Sequence, residues 1–126
     1  MSQMQRFKKL IDPTSLKKKD LTGKKIVLTG GVFDLLKPFH IDLIEFSRKR
    51  GDILVVAVRE KGIYTPFIER VEILNEIENI DYLLNYNDQS IEEILQNSFN
   101  EVIINIEFDP SGIITVNNGK ILNFPD

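Results

Sequence analysis

Residues 23–58 read GKKIVLTGGVFDLLKPFHIDLIEFSRKRGDILVVAV. The stretch opens on KIVLT (25–29) and closes on ILVVAV (53–58), two continuous apolar runs rich in β-branched residues. Such runs suit strands buried on both faces. Between them a helix is predicted from Phe39 or His40 to Arg50, with Pro38 at its entrance. Ile41, Leu43, Ile44, Phe46 and Ser47 recur there at three- and four-residue spacing, which builds one broad buried face. Arg48, Lys49 and Arg50 suit the negative end of that helix, and Gly51 stops it. Gly30-Gly31 is expected to break the first strand. Strand, helix and strand in this order make a βαβ unit.

The same alternation continues downstream. FIERVEILNEI (67–77) is an amphipathic helix with Phe67, Val71, Leu74 and Ile77 on one face. YLLNY (82–86) is a third strand, VIINI (102–106) a fourth and ILNF (121–124) a fifth, the last after an Asn117-Asn118-Gly119 turn. Ser90 is expected to cap a short helix through Leu95 or Gln96, with Glu93 completing a capping box. Upstream, Thr14 or Ser15 caps a short helix through LKKKDL that Gly23 ends. Strands and helices in alternation predict an α/β fold: an open, parallel, five-stranded sheet with helices on both faces. A length of 126 residues fits one domain, with residues 1–23 as a basic helical leader.

Composition removes several classes of chemistry. The chain has no cysteine, which excludes a disulfide scaffold, thiol catalysis and Cys-ligated metal. His40 is the one histidine, so a multi-histidine metal site is excluded and no metal ligands are assigned. No apolar run reaches the about 18 residues of a membrane helix. MSQMQRFKKLIDP lacks the apolar core of a secretory signal, so a cytoplasmic setting without membrane contact is expected. Residues 1–25 carry eight Lys/Arg and two Asp, against eight Lys/Arg and seventeen Asp/Glu in the remainder. The leader is read as a solvated helix pairing with its own acidic domain. No aromatic residues interleave with its lysines, so nucleic acid is not expected as a partner.

In an open parallel sheet, ligands bind at the carboxyl ends of the strands. The first strand runs into Thr29-Gly30-Gly31-Val32-Phe33-Asp34-Leu35-Leu36-Lys37-Pro38-Phe39-His40. Two glycines allow close approach of backbone to a ligand, and the following helix start aims free N–H groups at the same point. Asp34 is expected to hold the loop by accepting backbone N–H bonds. Arg70 lies on what reads as a polar helix face.

The wider string resembles the cytidylyltransferase-like nucleotidyltransferases, and within them the type that adenylylates heptose 1-phosphate in lipopolysaccharide core biosynthesis. Family members read approximately T-x-G-x-F-D-x-L-H-x-G-H after the first strand. Thr29, Gly31, Phe33, Asp34, Leu36 and His40 match, as do Gly51-Asp52, Arg70, Leu74 and Asp81 further on. The likeness covers residues 6–106 well. It implies transfer of a nucleotidyl group from ATP or CTP, with Mg²⁺, to a sugar-phosphate-type acceptor with release of pyrophosphate. It assigns catalytic roles to His40 and Lys37, and nucleotide binding to Thr29, Gly30, Gly31, Phe33, Phe39 and Arg70. The partners implied are a nucleotide, a phosphorylated small molecule and, by analogy, a second copy of the chain.

Departures from the pattern support an alternative. The H-x-G-H tetrad is Lys37-Pro38-Phe39-His40, so lysine replaces the first histidine and phenylalanine the glycine. Phe39 either fills the nucleotide pocket or turns inward as core. The loop from Arg59 to Pro66 is short, and Glu107-Phe108-Asp109 replaces a glycine-rich segment. On that alternative the chain is an inactive relative that binds a nucleotide, another phosphate ligand or a protein partner.

Overall fold

The two apolar runs of residues 23–58 lie side by side as parallel strands at the centre of the sheet in a computed structural model, which describes residues 6–116 and 118–125. The elements in chain order are α1 (Pro13–Lys17), β1 (Ile26–Gly31), α2 (Pro38–Arg48), β2 (Ile53–Arg59), α3 (Phe67–Asn75), β3 (Tyr82–Tyr86), α4 (Ile91–Leu95), β4 (Glu101–Ile104) and β5 (Lys120–Asn123). All strand pairs are parallel, in the order β3-β2-β1-β4-β5. This is the predicted open five-stranded α/β sheet.

The pleat explains the unbroken apolar runs. Val27, Leu54, Val56, Val58, Leu83 and Ile103 point to one face, where Leu43 and Ile44 of α2 and Val71 and Leu74 of α3 cover them. Leu28, Val55, Ala57, Leu84, Val102 and Ile104 point to the other, against Leu16 of α1 and Ile94 of α4. With both faces buried, positions 26–31 of β1 and 53–58 of β2 each carry an apolar side chain or a small one, and the period-2 alternation of a half-exposed strand disappears.

Several local expectations are corrected. Gly30 and Gly31 do not break β1; they pair with Ala57 and Val58 of β2, and the chain turns only at Phe33, whose φ is 53°. The cap of α1 is Asp12, whose carboxylate accepts the Ser15 N–H at 2.6 Å with Pro13 at the first helical position. That helix stops at Lys17, because Asp20 turns the chain by accepting from the Thr22 hydroxyl at 2.8 Å; Gly23, at φ 78°, belongs to the turn before β1. The start of α4 uses no capping box: Asn87 Oδ1 accepts the N–H groups of Gln89 and Ser90, and Ser90 Oγ accepts that of Asn87. Helices α2 and α3 end two residues earlier than predicted. Strand β4 is displaced by one to two residues and β5 by one. Asn117 of the predicted Asn-Asn-Gly turn lies outside the described residues.

The leader docks on its own domain through backbone and apolar contacts more than through charge pairs. Ile11 N–H donates to Leu83 O at 3.0 Å and Leu83 N–H to Lys9 O at 2.7 Å, so the segment covers the free edge of β3. Phe7 and Leu10 are buried in the core, and the Lys9 ammonium donates to Ile77 O. Arg6–Glu72 is an exposed pair of little energetic weight. No helix among the described residues is long and apolar enough to cross a membrane.

Candidate functional site

Strands β1 and β4 are neighbours at the point where the strand order reverses. The chain leaves β1 for α2 on one face, and it reaches β4 from α4 on the other. The carboxyl ends of two such strands frame the crevice where open α/β sheets bind ligands. Two segments meet there: residues 31–40 following β1 and residues 105–109 following β4.

The first segment is rigid for reasons visible in its partners. Asp34 accepts the N–H groups of Ile63, Tyr64 and Thr65 at 2.5–2.8 Å, and its own carbonyl accepts the Thr65 hydroxyl. Burial pushes its carboxyl up, but these N–H bonds outweigh it and hold the group below the usual range. Asp34 thus performs the loop-holding role expected of it, and it does so by tying together the loops that follow β1 and β2. Arg70 fastens the same two loops. Its guanidinium donates to Val32 O, Arg59 O, Glu60 O and Thr65 O at 2.6–2.9 Å. The residue is 1% exposed, so the polar, solvated face expected for it is corrected. Burial lowers its pKa, and Asp34 works in the opposite sense.

His40 occupies the third position of α2 and is 2% exposed. Its Nδ1 accepts the Lys37 N–H at 2.9 Å, which caps the helix from within. The ring proton therefore sits on Nε2, which donates to Glu107 Oε2 at 2.9 Å. The ring of Phe33 lies 5.1 Å from that of His40, centroid to centroid, and walls one side. Glu107 Oε1 in turn accepts the N–H of Val32 at 2.9 Å and of Phe33 at 3.2 Å. One carboxylate thus collects three donors from the loop of β1. Burial pushes the Glu107 carboxyl up, but the His40 bond and the two amides outweigh it and hold it below the ordinary glutamate range.

Asn105 presents Glu107 to the loop. Its Oδ1 accepts the N–H groups of Glu107 and Phe108, and its Nδ2 donates to Gly30 O at 2.8 Å. The two glycines make room for what this turn carries. A Cβ on Gly31 would stand 2.8 Å from Glu107 Oε1, and one on Gly30 would stand 2.7 Å from the Phe108 ring.

The other residues implicated by sequence fall at different distances from this cluster. Thr29 is buried, and its hydroxyl donates to Ile103 O at 2.8 Å, tying β1 to β4. Lys37 is exposed at the N-cap of α2. Of the two orientations open to Phe39, the structure has it partly buried against the core, with its ring 5.9 Å from that of Phe124. A cavity of about 210 Å³ lined by Arg59, Tyr86, Phe108, Asp109 and Ile114 lies beside the cluster and touches none of His40, Gly30 or Gly31. Among the described residues no group of three or more His, Asp or Glu is placed to hold a metal ion. Glu107 and Asn105 are the residues that sequence reading missed as part of the site. The available signal was an acidic side chain just past a buried strand.

Comparison with known proteins places the chain among its relatives. The sequence profile of the family described as cytidylyltransferase-like matches residues 28–116. The bifunctional protein HldE of Desulfatibacillum aliphaticivorans is 42% identical over 84 residues, which are 59% of this chain and 17% of that protein. The bifunctional protein HldE of Histophilus somni is 30% identical over 120 residues, 81% of this chain and 25% of that protein. The chain therefore spans about a quarter or less of the length of these curated relatives. The crystal structure of the lipopolysaccharide core biosynthesis protein from Thermoplasma volcanium GSS1 superposes with a TM-score of 0.65 at 23% identity, covering 80% of this chain and 96% of that one, a likeness of fold. With a profile match that runs from the middle of β1 through the loop after β4, and so takes in both halves of the crevice, the chain belongs to the cytidylyltransferase-like family.

Proposed function

We propose that the crevice between β1 and β4 binds the phosphates of a nucleoside triphosphate, ATP or CTP, and that the reaction served is nucleotidyl transfer to a phosphorylated acceptor such as a sugar phosphate. Nucleotidyl transfer is the chemistry of the family to which the chain belongs. The acceptor class follows the names of relatives such as the lipopolysaccharide core biosynthesis protein and is part of the proposal. The observation that carries the reading is the convergence of three donors, the amides of Val32 and Phe33 and Nε2 of His40, on one anion at the switch point. Preorganised donors of this kind stabilise charge on a transferring phosphoryl group without reorganising during the reaction.

In the proposed reaction an acceptor phosphate oxygen bonds to the α-phosphorus, the bond from that phosphorus to the bridging oxygen breaks, and pyrophosphate leaves. His40 donates to a phosphate oxygen through Nε2. The loop amides hold the same group in place. Lys37, at the mouth of α2, supplies positive charge where relatives carry a histidine. Mg²⁺ belongs to this proposal as the counterion of the triphosphate.

The test is calorimetric titration of the protein with millimolar ATP and CTP in the presence of Mg²⁺, followed by a pyrophosphate-release assay across a panel of sugar phosphates. Binding of one nucleotide and acceptor-dependent release are expected. No binding and no release with either nucleotide would overturn the reading.

A further inference from the structure

The anion cradle at the switch point already holds an anion of the chain's own. Glu107 Oε1 takes the two loop amides, and Oε2 takes His40. Two oxygens of a tetrahedral phosphate span nearly the same separation as the two oxygens of a carboxylate. A phosphate can therefore replace Glu107 donor for donor without moving the loop. The space that Gly31 leaves by lacking a Cβ is filled by Glu107 Oε1, the atom that a ligand oxygen would displace. The carboxylate is not sealed in. The Glu107 side chain is 27% exposed, and it sits on a turn whose neighbour Ile106 is 78% exposed. Solvent therefore reaches the carboxylate. The turn itself stays anchored through Asn105, whose bonds run to the backbone of Gly30, Glu107 and Phe108 and not to the Glu107 carboxylate.

We infer that Glu107 is a built-in competitor for the phosphate-bearing ligand: it occupies the place of a phosphate group and must swing out before a nucleotide or other diphosphate compound can engage Val32, Phe33 and His40. This rests on the reading of the crevice as a nucleotide site. A phosphate carries more charge and more acceptor oxygens than a carboxylate, so a di- or triphosphate at sufficient concentration displaces it, whereas a carboxylate-bearing metabolite gains nothing by the exchange. The device restricts the site to polyphosphate ligands and raises the concentration at which they bind.

The experiment is titration of inorganic pyrophosphate into the wild-type protein and Glu107→Ala, followed by calorimetry and by the amide resonances of Val32 and Phe33. Glu107→Ala is expected to bind about ten-fold more tightly or better, the size of a charge-assisted hydrogen-bond set no longer in competition. Equal affinity in the two proteins would overturn the inference and leave the nucleotide reading standing. Absence of binding in both would overturn that reading and the inference with it. Should Glu107→Ala fail to melt cooperatively, the side-chain carboxyl resonance of Glu107 in the wild-type protein decides. A shift in step with pyrophosphate binding supports displacement, and binding that leaves this resonance unmoved contradicts it.

Discussion

Arg70 donates to four backbone carbonyls drawn from the loops after β1 and β2, and only a guanidinium carries that many donors in a fixed fork. Truncation to alanine takes this partner from four part-buried carbonyls and empties a fully buried side-chain position. Arg70→Ala is expected to lose about 3 kcal/mol or more in urea denaturation, since each orphaned buried group costs about 1–3 kcal/mol. Arg70→Lys should recover only part of the loss, because an ammonium is a point donor that cannot span the same carbonyls. A loss below about 0.5 kcal/mol for Arg70→Ala, the size of an ordinary surface change, would contradict this role. The role was hidden in the sequence for a physical reason. An arginine three residues into a helix reads as solvent-facing until a neighbouring loop folds over it, and the loop's approach is fixed by Asp34, thirty-six positions earlier. Asp34 itself was legible, since a short carboxylate in a turn satisfies local amides almost wherever it falls. Glu107 was not, because its partners lie about seventy residues away.

The elements were legible where burial alone dictates them. KIVLT and ILVVAV suited two-face-buried strands, and the helix between them had an apolar stripe and a clear stop at Gly51. The errors fell at the ends, where hydrogen bonds to distant groups decide. Gly30 and Gly31 extend β1 beside Ala57 and Val58, where the Phe108 ring and Ala57 O take the space a side chain on Gly30 would need and Glu107 takes that of Gly31. At the opposite end of the sheet, Glu101 at the start of β4 joins three elements. It pairs with Arg50 beyond α2 at 2.7 Å and with Lys25 ahead of β1 at 2.5 Å, while itself 1% exposed. Burial pushes its carboxyl up, but the Arg50 and Lys25 bonds outweigh it and leave its pKa lowered. A carboxylate with a depressed folded-state pKa adds stability that is complete above its unfolded value, about 4.3, and is lost as pH falls through the folded value. Glu107 acts in the same sense. The urea midpoint should therefore hold near neutral pH and fall on acidification below about 4.3. Glu101→Gln should be less stable at neutral pH and show a shallower acid fall. An equally steep fall in the variant would remove Glu101 from the account.

The assembled molecule gathers the donors around Glu107 at one end of the sheet and the charge pairs of Glu101 at the other. The donors of the anion cradle come from the turn after β1 and the first turn of α2, and the anion that fills it comes from the turn after β4. That convergence depends on the strand order, and the order follows from helices packing on both faces, which the sequence pattern announced. What the pattern could not announce is which side chain from β4 would face the loop. The lineage was legible in the spacing of Thr29, Gly31, Phe33, Asp34 and His40. Of these, Thr29 and Asp34 are held in bonds that build the scaffold, and His40 points at the anion. The most direct measurement is an NMR titration of the wild-type protein with ATP and CTP in the presence of Mg²⁺, following backbone amides and the His40 ring. Nucleotide binding in this crevice makes the largest shifts appear at Val32, Phe33 and His40 and titrate together. Shifts confined to the cavity beside Arg59 and Tyr86, or to the lysines of the leader, with the cradle unmoved, would contradict it.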